Sequence, residues 1–175
     1  RLSVSNFDTL NVKDMSFMFS GCYKVKRLDI RNFKTSNVLD MNGMFKDCHS
    51  VVELDVSGFD TSNVNNMIEM FSGVSAVKTL EIGRFDTTKV TDMWGMFKKS
   101  QFKGNISRWN VSNVKSMGYM FSESQFNGNI SSWNVSNVTD MSYMFDESQF
   151  NGDISSWNVS NVTNMSFMFE HSPFN

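Results

Sequence analysis

The sequence predicts a repeat solenoid of about seven rungs, each a short β-strand followed by a short helix, and three observations carry that expectation. The motif V-x-x-M-x-x-M-F occurs seven times, starting at Val12, Val38, Val64, Val90, Val114, Val138 and Val162, and holds all 14 methionines. Its first Met recurs at Met15, Met41, Met67, Met93, Met117, Met141 and Met165, spaced by 26, 26, 26, 24, 24 and 24 residues. Eight residues before each Met stands an aromatic, in the column Phe7, Phe33, Phe59, Phe85, Trp109, Trp133, Trp157. A fixed period of this length marks stacked units, none of which can bury its apolar face alone.

The strand comes first in each unit. "VKRLDIRNF" from Val25, "VVELDVSGF" from Val51 and "VKTLEIGRF" from Val77 share a Leu-x-Ile/Val alternation. Alternation of this kind is a short strand with one buried face. Its outward positions are then Asp29/Arg31, Asp55/Ser57, Glu81/Gly83, Asn105/Ser107, Asn129/Ser131 and Asp153/Ser155.

The helix follows. In Val38-x-x-Met41-x-x-Met44-Phe45 the apolar residues fall at i, i+3, i+6 and i+7, the spacing of one helix face. Asn37 stands as the N-cap candidate and Asp40 meets the positive end of the helix dipole. A helix of about two turns is marginal alone and must be held by packing. Strand plus helix in each rung is the layout of a leucine-rich-repeat-like solenoid, with an aromatic in place of the usual Asn; a mostly-β solenoid with 3-10 turns is the alternative. Both place the Met and aromatic columns in the core, where the unbranched thioether adapts to small changes of spacing between rungs.

At Trp109 three features change together. The period falls by two, Phe becomes Trp, and Thr9, Thr35, Thr61 and Thr87 give way to Val111, Val135 and Val159. The Leu position becomes Gly104, Gly128 and Gly152. One reading is that Gly removes a side chain so that the larger Trp can enter a close-packed interior. The other is that Gly supplies a positive φ at a turn. The chain is thus one segment, residues 1–175, with rungs of the 26-residue type over 1–97 and of the 24-residue type over 98–175. Both ends fall within copies of the repeat, so a fragment of a longer array is expected.

Catalytic and metal chemistry find little support. Met-x-x-Met could hold a soft ion such as Cu(I), but the periodic Val and Phe around it favour core, and no metal or other cofactor is expected. Cys22 and Cys48 share one column with Val74, which favours two free buried thiols over a disulfide. His49 and His171 share no cluster, and no triad, paired-His motif or phosphate loop appears, so the chain is not expected to be an enzyme. With 16 basic and 18 acidic residues and a net charge of −2, there is no basic stripe for nucleic acid and little to attract a lipid surface. No secretion signal or apolar membrane span is visible either.

The copy "FNGDISSWNVSNVTNMSFMF", Phe150 to Phe169, resembles the hallmark of the bacterial surface-protein 26-residue repeat family, the BspA-like, leucine-rich-repeat-like surface proteins and lipoproteins. "LDVSGFDTSNVNNMIEMF", Leu54 to Phe71, resembles its longer variant. The resemblance implies a bacterial cell-surface location, with anchoring through other parts of the parent chain. It also implies a role in adhesion or in binding a host or neighbouring-cell protein or glycan. It carries no catalytic or binding residues. Solenoids bind along exposed columns, so the expected ligand face is Asp29, Arg31, Asp55, Ser57, Glu81, Asn105, Ser107, Asn129, Ser131, Asp153 and Ser155. That face offers few of the aromatic anchors usual at protein interfaces. A spacer that presents some other module is therefore the alternative.

Overall fold

The computed structural model describes residues 2–175. These residues form coils stacked in register, and each coil hydrogen-bonds to the next. Three short parallel strands open the stack: β1 (Leu2–Ser3), β2 (Arg27–Asp29) and β3 (Glu53–Leu54), in the order β1-β2-β3. Leu2 pairs with Leu28, and Leu28 with Leu54. A second line of contact runs the length of the stack as single parallel bridges, from Asp14↔Asp40 through to Asp140↔Asn164.

The predicted helix does not form. The described residues contain no α-helix and no 3-10 helix, so neither the strand-plus-helix rung nor the alternative with 3-10 turns describes the chain. The reason lies in the backbone. The described residues with positive φ number fourteen, ten of them not glycine, and they fall in two columns. One lies two past the first Met (Phe17, Gly43, Glu69, Gly95, Tyr119, Tyr143, Phe167), the other six past it (Gly21, Asp47, Gly73, Lys99, Glu123, Glu147, His171). A left-handed residue every four positions stops a right-handed helix. Met44 N–H donates to Met41 O at 3.2 Å across Gly43, whose φ is +56°, which is the pattern of a type II turn.

Turns of this kind free alternate amides for the neighbouring coil. Met41, Gly43, Phe45 and Asp47 donate to Asn66, Ile68, Met70 and Ser72 at 2.7–3.0 Å. Met44, Lys46 and Cys48 donate back three residues within their own coil. Each backbone donor in the segment therefore has a partner, as buried amides require. The apolar spacing read as a helix face is equally the inner side of this turn chain.

Side chains close the remaining turns. Asp14, Asp40, Asn66, Asp92, Asp140 and Asn164 each accept from the N–H two residues on, at 2.7–3.1 Å. These are Asx turns. Asn37, the expected N-cap, donates instead to Leu10 O of the preceding coil at 2.8 Å, and Asn63, Asn113, Asn137 and Asn161 repeat that bond.

The interior is a column of rings. Phe19, Phe45, Phe71, Phe97, Phe121, Phe145 and Phe169 stack with centroids 5.7–5.9 Å apart and planes within 10°. Met41, Met67, Met93, Met117 and Met141 are fully buried, and Met15 nearly so. Phe33, Phe85, Trp109 and Trp133 are buried, while Phe59 and Trp157 pack against the core half-buried. Phe7 (54 % exposed) and Met165 (42 %) lie in the first and last copies, where one neighbour covers them instead of two.

The change of period at Trp109 is a change of bonding partner. Thr35 and Thr61 are buried and donate forward to Asp60 O and Asp86 O at 3.0 Å. Where Val replaces Thr, the indole takes over: Trp109, Trp133 and Trp157 donate back to Ile82 O, Ile106 O and Ile130 O at 3.1–3.2 Å. Gly104, Gly128 and Gly152 are not in the left-handed region, which rules out the turn reading. The steric reading needs a different ring. A Cβ on Gly128 would meet Phe126 at 2.7 Å, and one on Gly104 would meet Phe102 at 2.5 Å. Val51 and Leu54 line this part of the interior in an early coil. Later the ring of Phe126 fills it, stacked 4.2 Å from Phe121, and Gly keeps the volume constant.

Candidate functional site

Most of the predicted ligand face is exposed, with Asp29, Ser107 and Ser131 half-buried, but its polar atoms are largely spent on the turns beneath them. Asp55 Oδ1 accepts from both Ser57 N–H (3.1 Å) and Ser57 Oγ (2.7 Å). Asn105 accepts from Ser107, Asn129 from Ser131 and Asp153 from Ser155, all within 3.0 Å. Arg31 Nε donates to Asp29 at 3.3 Å. The hydrogen bonds from Ser57 hold the Asp55 carboxyl below its ordinary pKa, and those from Ser155 do the same for Asp153. These Asp/Ser and Asn/Ser pairs shape the backbone. Glu81, by contrast, lines a cleft.

Two adjoining clefts mark this face where the three-stranded sheet ends and coil length changes. One, of about 640 Å³, lies over β2 and β3 and is lined by Arg27, Arg31, Glu53, Asp55 and Lys78. The other, of about 530 Å³, is lined by Lys78, Glu81, Gln101, Lys103, Asn105 and Arg108. Lys78 and Thr79 belong to both, so the two form one furrow. At the second cleft the two coil types touch closely: a Cβ on Gly83 would meet Asn105 O at 2.8 Å.

Charge along the furrow is uneven. Arg27 pairs with Glu53 at 2.9 Å, and Arg31 with Asp29. Lys78, Lys103 and Arg108 make no ion pair among the described residues. Three cations against Glu81 give the second cleft a positive lining, suited to carboxylates, sulfates or the polar edge of an extended chain. In the sequence Lys78 and Arg108 stand out in no repeat column, and Lys103, close to Lys98 and Lys99, suggests only a solvated basic edge. The signal for them was the change of period, which places them at a break in the ladder.

A second outer feature was also missed. Tyr119, Tyr143 and Phe167 stack along the surface at 4.5 and 4.8 Å, with Trp94 tilted against Tyr119 at 5.1 Å and Lys98 Nζ 4.3 Å from the Tyr119 ring centroid. Three of the four occupy left-handed positions, where ring stacking offsets backbone strain. Cys22 and Cys48 are both free; Cys48 is buried, its Sγ 3.1 Å from Phe19 O, and burial pushes its thiol pKa up to about 12. No helix among the described residues is long and apolar enough to cross a membrane.

No curated protein and no solved structure matches the chain. The defining pattern of one family matches residues 1–80 and again 69–175, which together span the whole sequence. The chain therefore belongs to the family described as Mycoplasma protein of unknown function, DUF285.

Proposed function

We propose that this chain is a non-catalytic binding module of a bacterial cell-surface protein, of the BspA-like repeat type, that holds an extended protein or glycan segment along the furrow. The observation that carries the reading is the cleft at the change of coil length, with Lys78, Lys103 and Arg108 around it, none of them in an ion pair among the described residues. A furrow that crosses several coils suits an extended ligand better than a small molecule, and it presents many weak polar contacts in a fixed register. Adhesion to a host or neighbouring cell is the process such a module serves.

The test is capture on arrays of matrix proteins and acidic glycans, comparing the chain with Lys103→Glu/Arg108→Glu and with charge reversal at Asp55 and Glu81. Binding that the first pair abolishes supports the furrow. Binding that the first pair leaves intact and the Asp55/Glu81 reversal abolishes moves the site to the acidic side of the face. The continuous column of seven stacked phenylalanines favours a second reading, a stiff spacer that presents another module. That reading predicts no retention on any array.

A further inference from the structure

We propose that Tyr119 and Tyr143 form an oxidative cross-linking site, at which a peroxidase-class oxidant with hydrogen peroxide joins the two phenols as dityrosine and ties adjacent coils covalently. Their rings lie face to face, with centroids 4.5 Å apart and planes 12° from parallel. The backbone fixes that spacing. Both residues sit in the left-handed column two past the first Met, at φ +56° and +55°. Tyr119 N–H donates to Ser142 O and Tyr143 N–H to Ser166 O, at 2.8 and 2.9 Å. The rings therefore leave consecutive coils in register, and no loop has to move to bring them together.

The surroundings leave each phenol one coupling partner. Lys98 Nζ lies over the Tyr119 ring, 4.3 Å from its centroid, and Tyr143 covers the opposite face. Phe167 covers the outer face of Tyr143 at 4.8 Å and has no hydroxyl to oxidise. Trp94 only tilts against Tyr119, at 5.1 Å and 51°. Both tyrosines are half-buried, so an oxidant reaches their edges while their faces stay covered. The third tyrosine of the chain, Tyr23, is exposed but stacks on His49 at 6.1 Å, with no phenol ring stacked on it.

The reaction balances with peroxide as the only consumed reagent. Each phenol gives up one electron and one proton, and the radical left behind carries part of its unpaired spin on the carbons ortho to oxygen. One ortho carbon from each ring forms the new C–C bond. The hydrogen on each of these carbons then moves to the ring oxygen, which restores both aromatic systems. The two electrons and two protons reduce hydrogen peroxide to two molecules of water. Burial, and after it the neighbouring Tyr143 phenol, raises the Tyr119 pKa, so its proton leaves with the electron and not ahead of it. Two radicals held side by side couple where they form and do not have to meet by diffusion.

The test treats the folded chain with hydrogen peroxide and a haem peroxidase, then follows dityrosine fluorescence and maps the digest by mass spectrometry. The site predicts a monomer lighter by two hydrogens, with one cross-linked peptide pair that joins Tyr119 to Tyr143. Tyr119→Phe and, separately, Tyr143→Phe should each cut the dityrosine yield by at least about tenfold. The column already carries phenylalanine at Phe17 and Phe167, so both variants keep a ring it accepts. Tyr23→Phe should leave the yield unchanged. Peroxide without the peroxidase should convert the exposed Met18 and Met165 to sulfoxides and give no dityrosine. Coupling between chains, coupling through Tyr23, or an equal yield from the chain unfolded in urea would overturn the proposal. So would the absence of dityrosine from the folded chain.

Discussion

The indole N–H of Trp133 donates to the carbonyl of Ile106 in the preceding coil, at 3.2 Å and out of reach of solvent. In the longer coils the same stitch is made from the other side, by Thr61 reaching Asp86 O in the following coil at 3.0 Å. Phe with Thr and Trp with Val are thus two solutions to one problem: one side-chain hydrogen bond per coil, inside an apolar column.

Trp133→Phe should therefore cost about 1 kcal/mol beyond its lost packing, the net value of one buried hydrogen bond. Adding Val135→Thr should recover part of that, because the hydroxyl can then bond forward as Thr87 does to Asn110 O at 2.8 Å. A double-mutant cycle from urea denaturation measures the coupling. Val135→Thr alone should be neutral or worse, since a second donor there adds polarity without removing a deficit.

Gly128→Ala should destabilise by about 1–3 kcal/mol through overpacking against Phe126. The displaced ring should be Phe126, visible as a loss of its contact with Phe121, with Trp133 left in place. Gly128→Ala/Phe126→Leu should restore most of the loss.

Carboxylates at the Asx turns should govern the acid limb of stability. Asp86 and Asp60 are held below the ordinary carboxylate pKa by hydrogen bonds from Thr88 and Ser62. A lowered folded-state pKa means stability that is fully present above the unfolded pKa, about 3.9, and is lost as pH falls through the lower folded value. Asp86→Asn should keep the turn, as Asn110 and Asn134 do with Ser112 and Ser136. It should flatten the acid limb by lowering stability at neutral pH, where the ionised carboxylate contributes, towards the value the native chain reaches in acid. Asp92 and Asp146 are raised by burial and work against this trend, weakening the fold as they ionise.

Thiol chemistry should separate the two cysteines. Cys48, with its pKa near 12 and no exposed surface, should resist an aromatic disulfide reagent until the chain unfolds. The half-buried Cys22 should react in the native protein. Equal rates for the two would show that the first two coils open readily.

What could be read from sequence follows from what repeats. The period could be counted directly, and the amide bonds keep it: Met41 N to Asn66 O, Met117 N to Asp140 O. The helix expectation failed because Val-x-x-Met-x-x-Met-Phe presents the same apolar spacing whether the chain coils right-handed or runs as linked type II turns. The deciding signal was present. Gly43 and Gly95 share a column with Glu69 and Tyr119, and Gly21 and Gly73 one with Asp47 and Lys99. Glycine in some copies marks a left-handed position that the other residues must endure. The furrow was harder to foresee. Lys78, Lys103 and Arg108 sit in different columns, and only the break in the ladder brings them together.

The central claim is that each methionine motif is a chain of left-handed turns stitched to the next coil. The most direct measurement compares Lys99→Gly with Lys99→Ala at that left-handed position, φ +57°, by chemical denaturation. Both variants lose the same exposed ion pair with Glu123, so the difference reports the backbone alone. The turn account predicts that Gly is the more stable of the two by about 1 kcal/mol, since a Cβ is penalised there. If Ala were the more stable by about 1 kcal/mol, as in a helix interior, the account would be contradicted.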